Sequence, residues 1–274
     1  MRRDIIRQVV VGVAVLATIA LNVLANALPL NGQNTGEISD RFPVYFTPAG
    51  YVFAIWGLIY LGLLAFAIYQ ALPSQRENPR LRGIGTIFVA SCAANIAWLF
   101  LWHYEVFPLT LVAMVVLLLC LIAIYLRLGV GRSAVPAAEQ WLVRVPLRVY
   151  LGWISVATIA NVTTLLYFLN WGGWGIAPET WTVVILVVGL ALASLVSLDR
   201  GDTAFALVVA WAYAGIAVKN QGVSLVAGSA WGMAALVGVM AIAGPVIRRR
   251  WRTPTLAARQ SPCEMAASCD QATR

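Results

Sequence analysis

The sequence predicts an all-α protein: a polytopic transmembrane helical bundle of about eight spans with both termini on the cytoplasmic side. Three observations carry that reading. Eight apolar stretches, 8–29, 48–72, 83–102, 107–126, 149–170, 180–198, 203–218 and 223–247, contain none of the 19 basic and 11 acidic residues. Most hold at least about 18 residues, enough to cross a hydrocarbon layer of about 30 Å at about 1.5 Å per residue. With Met1 inside, only Arg41 and Lys219 fall in outer loops and every other basic residue falls on the inner side, the bias that orients helical membrane proteins.

The first stretch follows Arg2, Arg3 and Arg7 and ends near Ala25-Asn26-Ala27. That pattern also reads as a signal peptide with a small-residue cleavage site. Its apolar run of about 20 residues exceeds a usual signal core, so a retained helix is expected. The longest outer connection, Pro29 to Thr47, is polar over Asn31–Gly36 and then aromatic and proline-containing; connections of this length commonly serve as lids. The second span opens at Pro48, the third closes at Trp102-His103, and the fourth follows at once. The longest inner connection, Arg127 to Arg148, carries Pro136 and Pro146 and is expected to hold an interfacial helix around Glu139–Arg144. After the fifth span the texture changes to Ala, Gly and Val, with Gly189/Ala193, Ala210/Ala214 and Gly228/Gly232 at four-residue spacing. Such pairs let helix backbones approach closely, so the last three spans read as packing elements. The expected organisation is a five-helix bundle over 1–175, three additional transmembrane helices over 176–252, and a disordered cytoplasmic tail over 253–274.

Sixty-one per cent hydrophobic and 11% charged residues exclude a soluble globular domain. The net charge of +8 sits at inner helix ends, where anionic headgroups lie; the lipid bilayer, not nucleic acid, is the expected partner. Cys92 and Cys120 within spans, and Cys263 and Cys269 in the tail, read as thiols. His103, the single histidine, stands at a helix end and is expected at the surface. No nucleophile triad, paired carboxylate or metal cluster assembles around it, so neither catalysis nor a required cofactor or metal is expected. Proton-coupled transport leaves intramembrane ionisable residues or inverted repeats as its trace, whereas Glu105, Asp199 and Asp202 lie in loops.

Neutral polar and aromatic groups mark three spans instead. Phe53, Trp56 and Tyr60 share one helical face, as do Asn95, Trp98 and Trp102, and Tyr150, Trp153, Ala157 and Asn161. By helical rise, Trp56 lies about 12 Å below Pro48, Asn95 about 12 Å below His103 and Asn161 about 13 Å below Asn170, a common level. Trp153, at about 25 Å, falls to the floor. Trp102, Tyr104, Trp171, Trp174 and Trp181 read as an outer aromatic belt, and Trp141 and Trp251 as an inner one. A pocket between the second, third and fifth spans is expected, lined by Tyr51, Phe53, Trp56, Tyr60, Asn95, Trp98, Tyr150, Trp153, Ala157 and Asn161. Rings with few polar groups suit a flat, hydrophobic small molecule. The competing reading makes Asn95 and Asn161 interhelical hydrogen bonds worth about 0.6–2 kcal/mol. Two other functional classes compete: a permease for a hydrophobic molecule without proton coupling, and a structural partner protein using the glycine-rich last helices.

The runs Pro48–Tyr60, Asn95–Phe100 and Tyr150–Asn161 resemble three signatures of the TspO/MBR family, the translocator or tryptophan-rich sensory proteins: Val-Phe-x-x-Trp-x-x-x-Tyr after a proline and an aromatic, Asn-x-x-Trp, and Tyr-x-x-Trp-x-x-x-Ala-x-x-x-Asn. They occur in the family's order over about residues 8–170. The resemblance implies a five-helix membrane bundle, a homodimer, and a porphyrin ligand, protoporphyrin IX or heme, in a bacterial inner membrane. It implies that Trp56 and Trp153 flank the porphyrin, that Asn95 faces it and that Ala157 lies beside it. Porphyrin breakdown enters by the same analogy alone. The chain departs from the family at Phe42–Pro48, which lacks the usual lysine and tryptophan, at Val149, where a proline often stands, and over 180–247, which short members lack.

Overall fold

The computed structural model describes residues 2–252. The tail 253–274, with Cys263 and Cys269, lies outside the described residues.

Helix α1 (Arg2–Ala27) is followed by a short α2 (Thr35–Asp40), then by a 3₁₀ turn at Gly50–Ala54 that runs into α3 (Ile55–Ala71). Next come α4 (Pro79–His103) and α5 (Phe107–Arg127). One turn, α6 (Ala137–Glu139), passes through a π-helical turn, Gln140–Arg144, into α7 (Val145–Phe168). The last three are α8 (Pro178–Arg200), α9 (Thr203–Lys219) and α10 (Ser224–Arg252). Their ends have identifiable causes. Proline occupies the first turn of α4, α5 and α8, where its missing N–H is no loss. Asn78 and Asp202 cap α4 and α9 by accepting from the Arg80 and Phe205 amides. Gly201, at φ 65°, stops α8 in the left-handed conformation.

Seven of these helical segments are long and apolar enough to cross a membrane. The eighth expected span, α9, has 17 residues and reaches about 26 Å. It still joins the two faces, from Asp202 beside Arg148 to Lys219 beside Asp40. The two basic residues assigned to the outer side each pair with an outer acid, Arg41 with Glu105 and Lys219 with Asp40. The interfacial helix expected around Glu139–Arg144 is not separate: Ala137–Phe168 is one continuous helical run, because buried Glu139 is held by Arg80 at 2.7 Å and draws the segment against α4.

Helix α1 packs on α3 and α4, α4 on α5, α5 on α7, and α7 back on α3, closing a five-helix ring. The remaining helices, α8, α9 and α10, pack on one another, and α9 leans on α7 and on the 3₁₀ turn. Ala193 is fully buried, and a Cβ at Gly189 would overlap the Tyr213 hydroxyl, which donates to the Leu186 carbonyl at 2.9 Å. Those two residues act as the packing elements that their spacing predicts. Gly228 and Gly232 do not; both are exposed with open space at the Cβ position. Helix α10 instead buries Val226, Ala230, Val237 and Ala241, a stripe at the same period but rotated from the glycines.

A tight seam between ring and added helices is at Gly215. Its carbonyl accepts from the Ala49 amide at 3.1 Å, and a Cβ there would overlap Val52. Gly215→Ala is expected to lower stability by about 1–3 kcal/mol through overpacking, read from unfolding midpoints in detergent. Gly228→Ala, with open surroundings, is expected to shift the midpoint little; equal effects at the two positions would show that the seam is not close-packed.

Candidate ligand-binding site

The outer half of the ring encloses a hollow. Its walls are Phe53 and Trp56 from the second span, Trp98 and Trp102 from α4, Met114 from α5, and Trp153, Val156, Ala157, Ala160, Asn161 and Thr164 from α7. Thr35 and Ser39 of α2, with Thr47 and Pro48, close the top. Helical spacing puts these side chains together: Trp98 and Trp102 are one turn apart and stack at 5.5 Å, and Trp153, Ala157, Ala160, Asn161 and Thr164 form one stripe of α7. The Trp153 ring meets Phe53 at 5.7 Å and Trp56 at 6.2 Å, both edge to face. The cavity measures about 60 Å³.

Three polar groups around this hollow have no hydrogen-bond partner among the described residues: the Trp98 and Trp153 indole N–H groups and the Thr47 hydroxyl. All three residues are buried. Buried donors are normally satisfied, so these three stand out beside the hollow. Asn161 Oδ1 accepts from the Thr110 hydroxyl at 3.1 Å, which ties α5 to α7 beside the hollow.

Of the ten residues expected to line a pocket, Phe53, Trp56, Trp98, Trp153, Ala157 and Asn161 do so. The other four are placed elsewhere. Asn95 is fully buried one turn beneath Trp98, accepting from Asn22 Nδ2 at 2.8 Å and donating to the Tyr150 hydroxyl at 2.9 Å. Asn22, Asn95 and Tyr150 thus form a hydrogen-bonded layer across α1, α4 and α7 under the hollow. Tyr60 stacks on Trp56 at 5.5 Å and stands behind the wall. Tyr51, half exposed, turns to Trp211 of α9 at 5.4 Å, because the 3₁₀ turn rotates it away from Phe53 and Trp56. The Trp153 ring meets Trp56, so Trp56 shares the depth of Trp153 and lies about two helical turns below Asn161, not level with it. Trp102 is not a belt residue: it is buried and donates to the Thr35 carbonyl at 3.2 Å. His103, expected at the surface, is also buried, with Nδ1 at 2.8 Å from the Leu99 carbonyl. Both lie under the α2 cover.

That cover is held at its rim. The Asn34 side chain and Glu37 form a capping box that starts α2. Asn31 donates to the His103 carbonyl at 3.0 Å, and Gln33 and Arg41 both donate to Glu105. The Arg41 guanidinium, 2.8 Å away, holds the Glu105 carboxyl below the usual carboxylate range. Lys219 donates to Asp40, Asn220 to the Tyr45 carbonyl, and the Tyr45 hydroxyl to Glu179. The Arg41 and Lys219 pairs are solvent-accessible and worth about 0–1 kcal/mol each. Sequence reasoning missed the lining contributed by Thr35, Ser39, Thr47 and Pro48; the length of the 29–47 connection was its only signal.

Among the described residues, no group of three or more His, Cys, Asp or Glu is placed to hold a metal ion. Comparison with curated proteins and with solved structures returned no match. A family model described as TSPO-like protein matches residues 8–243, taking in the five-helix ring and most of the added helices. The chain belongs to the TSPO-like family, as an integral multi-pass membrane protein with a binding or sensory role in general terms.

Proposed function

We propose that the protein binds a flat hydrophobic ligand, a porphyrin or related tetrapyrrole, between the tryptophans of the hollow, and that binding is its sensory event. The carrying observation is the coincidence of aromatic walls with the unpartnered Trp98, Trp153 and Thr47 donors. Rings supply the broad contact such a ligand needs, and a few placed donors supply orientation. A ligand of this size needs a pocket of roughly 300 Å³ or more, whereas the hollow is about 60 Å³. The α2 cover must therefore swing out for the ligand to enter, breaking mainly the surface contacts of Arg41, Lys219 and Asn31. The family assignment supports a membrane binding or sensory role in general terms, and the signature residues resemble those of porphyrin-binding members.

Tryptophan fluorescence tests the reading. Of the 11 tryptophans, Trp56, Trp98, Trp102 and Trp153 line the hollow. Titrating purified protein with protoporphyrin IX is expected to quench emission saturably. In Trp56→Ala/Trp153→Ala, saturable quenching is expected to weaken by roughly tenfold or more, the loss of two stacking partners at about 1 kcal/mol each. An unchanged titration in that variant would remove the hollow as the binding site.

A further inference from the structure

At the inner end, where the ring meets the added helices, a polar hollow of about 340 Å³ is surrounded by five arginines. Arg132 comes from the loop after α5, Arg144 from the π-helical turn, Arg148 from the start of α7, Arg200 from the end of α8, and Arg248 from α10. Among Arg132, Arg144, Arg148 and Arg200 the cations outnumber the nearby carboxylates. Arg148 takes Asp202 at 2.7 Å, and Asp199 serves both Arg200 at 2.6 Å and Arg132 at 3.5 Å. Arg144 is buried and turns its terminal nitrogens to the Leu128 and Ser133 carbonyls and the Ser133 hydroxyl. Its nearest carboxylate, Glu139 at 3.9 Å, is already held by Arg80 Nε and Nη2. Arg248 donates to the Gly131 carbonyl. Leaving Arg248 aside, these four guanidiniums and Arg80 meet three carboxylates, Asp199, Asp202 and Glu139, so positive charge is in excess at this end.

Two apolar grooves open from this hollow. One, of about 770 Å³ between α3, α7 and α9, shares Gln140, Arg148 and Gly201 with it. The other, of about 590 Å³ between α5, α7, α8 and α9, shares Arg200. A cationic cradle with two apolar troughs leading from it matches one chemical object: an anionic headgroup carrying two hydrocarbon chains. Guanidinium forks bind phosphate oxygens in pairs, and basic pockets between helices at the inner membrane face take acidic lipid headgroups.

We propose that this junction is a specific binding site for an anionic diacyl phospholipid, its phosphate among Arg132, Arg200 and Arg248 and its chains in the two grooves. Because Arg144 and Arg148 belong to the ring and Arg200 and Arg248 to the added helices, the lipid bridges the two groups of helices. The site is separate from the aromatic hollow at the outer end and does not depend on a tetrapyrrole binding there.

Native mass spectrometry of the full chain during stepwise delipidation tests this, with phosphatidylglycerol and phosphatidylcholine of identical chains in competition. One phosphatidylglycerol per chain is expected to be retained, preferred by about tenfold or more, and Arg132→Gln/Arg200→Gln/Arg248→Gln is expected to abolish the preference. If that triple variant does not fold, Arg132→Gln alone, at an exposed side chain, is expected to reduce the preference several-fold. Equal retention of the two lipids in the parent protein overturns the proposal. So does displacement of phosphatidylglycerol by millimolar inorganic phosphate with equal thermal stabilisation, which would assign the site to a free anion.

Discussion

Asp202→Ala is expected to destabilise the protein by about 3–5 kcal/mol, the cost of leaving one member of a buried ion pair without its partner. Asp202 is completely enclosed, and its Oδ1 serves two structures at once. It accepts from Arg148 at 2.7 Å, fixing α7 against the α8–α9 turn, and from the Phe205 amide at 3.0 Å, starting α9. Removing the carboxylate leaves the largely buried Arg148 guanidinium uncompensated and also removes a helix cap worth about 0.5–2 kcal/mol. Asp202→Asn separates the two, since it keeps a capping acceptor and loses the charge. Arg148→Met/Asp202→Asn removes the buried charge altogether and is expected to regain most of the stability, because apolar replacement of buried pairs is commonly near neutral. Unfolding midpoints of the three variants in one detergent give the comparison. A loss below about 1 kcal/mol in Asp202→Ala would mean that water reaches Arg148 and that this junction is looser than the contacts describe.

Much of the architecture was legible because charge is so costly in hydrocarbon that its exclusion writes the spans directly into the chain. The stripes were legible for a similar reason: isolated carboxamides and indoles in apolar helices point inward, as Trp56, Trp98, Trp153 and Asn161 do. Depth was less legible. Counting rise from Pro48 assumes that Pro48 stands at the rim, yet Pro48 lines the hollow itself and its neighbour Ala49 is bonded to Gly215, a full turn inside the outer end of α9. The second span therefore starts sunk beneath α2, which brings Trp56 level with Trp153. Asn95 gave the right signal and the wrong partner. It faces inward, but Asn22, a carboxamide equally isolated in α1, reaches it first, and pairing across two helices cannot be read from either helix alone. Trp102 and His103 were misplaced because helix ends are ordinarily wet. Here α2, whose position depends on contacts with residues as distant as Glu105, covers them.

Trp153→Ala is expected to cost about 2–3 kcal/mol, less than the about 3–5 kcal/mol typical of Trp→Ala in water-soluble cores. The difference follows from the solvent. In a soluble protein the lost stability combines the transfer of the ring from water with the cavity left behind. For a chain that unfolds within lipid, the ring moves between two apolar media, and helix association rests on packing, with little hydrophobic driving force. The cavity part remains, at about 24 cal/mol per Å³, so an unfilled space of roughly 100 Å³ gives the stated figure. Trp153 is buried, and its ring touches Phe53 and Trp56, so its removal leaves α3 and α7 facing a void. Trp153→Phe keeps most of that contact and is expected to cost less than about 1.5 kcal/mol. It also deletes an indole N–H that has no protein partner, so no acceptor is orphaned. Under the proposed function the two variants diverge from their stabilities. The Phe variant loses a donor to the ligand, and its affinity is expected to fall about fivefold, the worth of one hydrogen bond near 1 kcal/mol. Fluorescence titration beside unfolding midpoints reads both quantities on the same samples. A Phe variant that binds as tightly as the parent would leave Trp153 a packing residue, with Trp98 and Thr47 the remaining donors at the hollow.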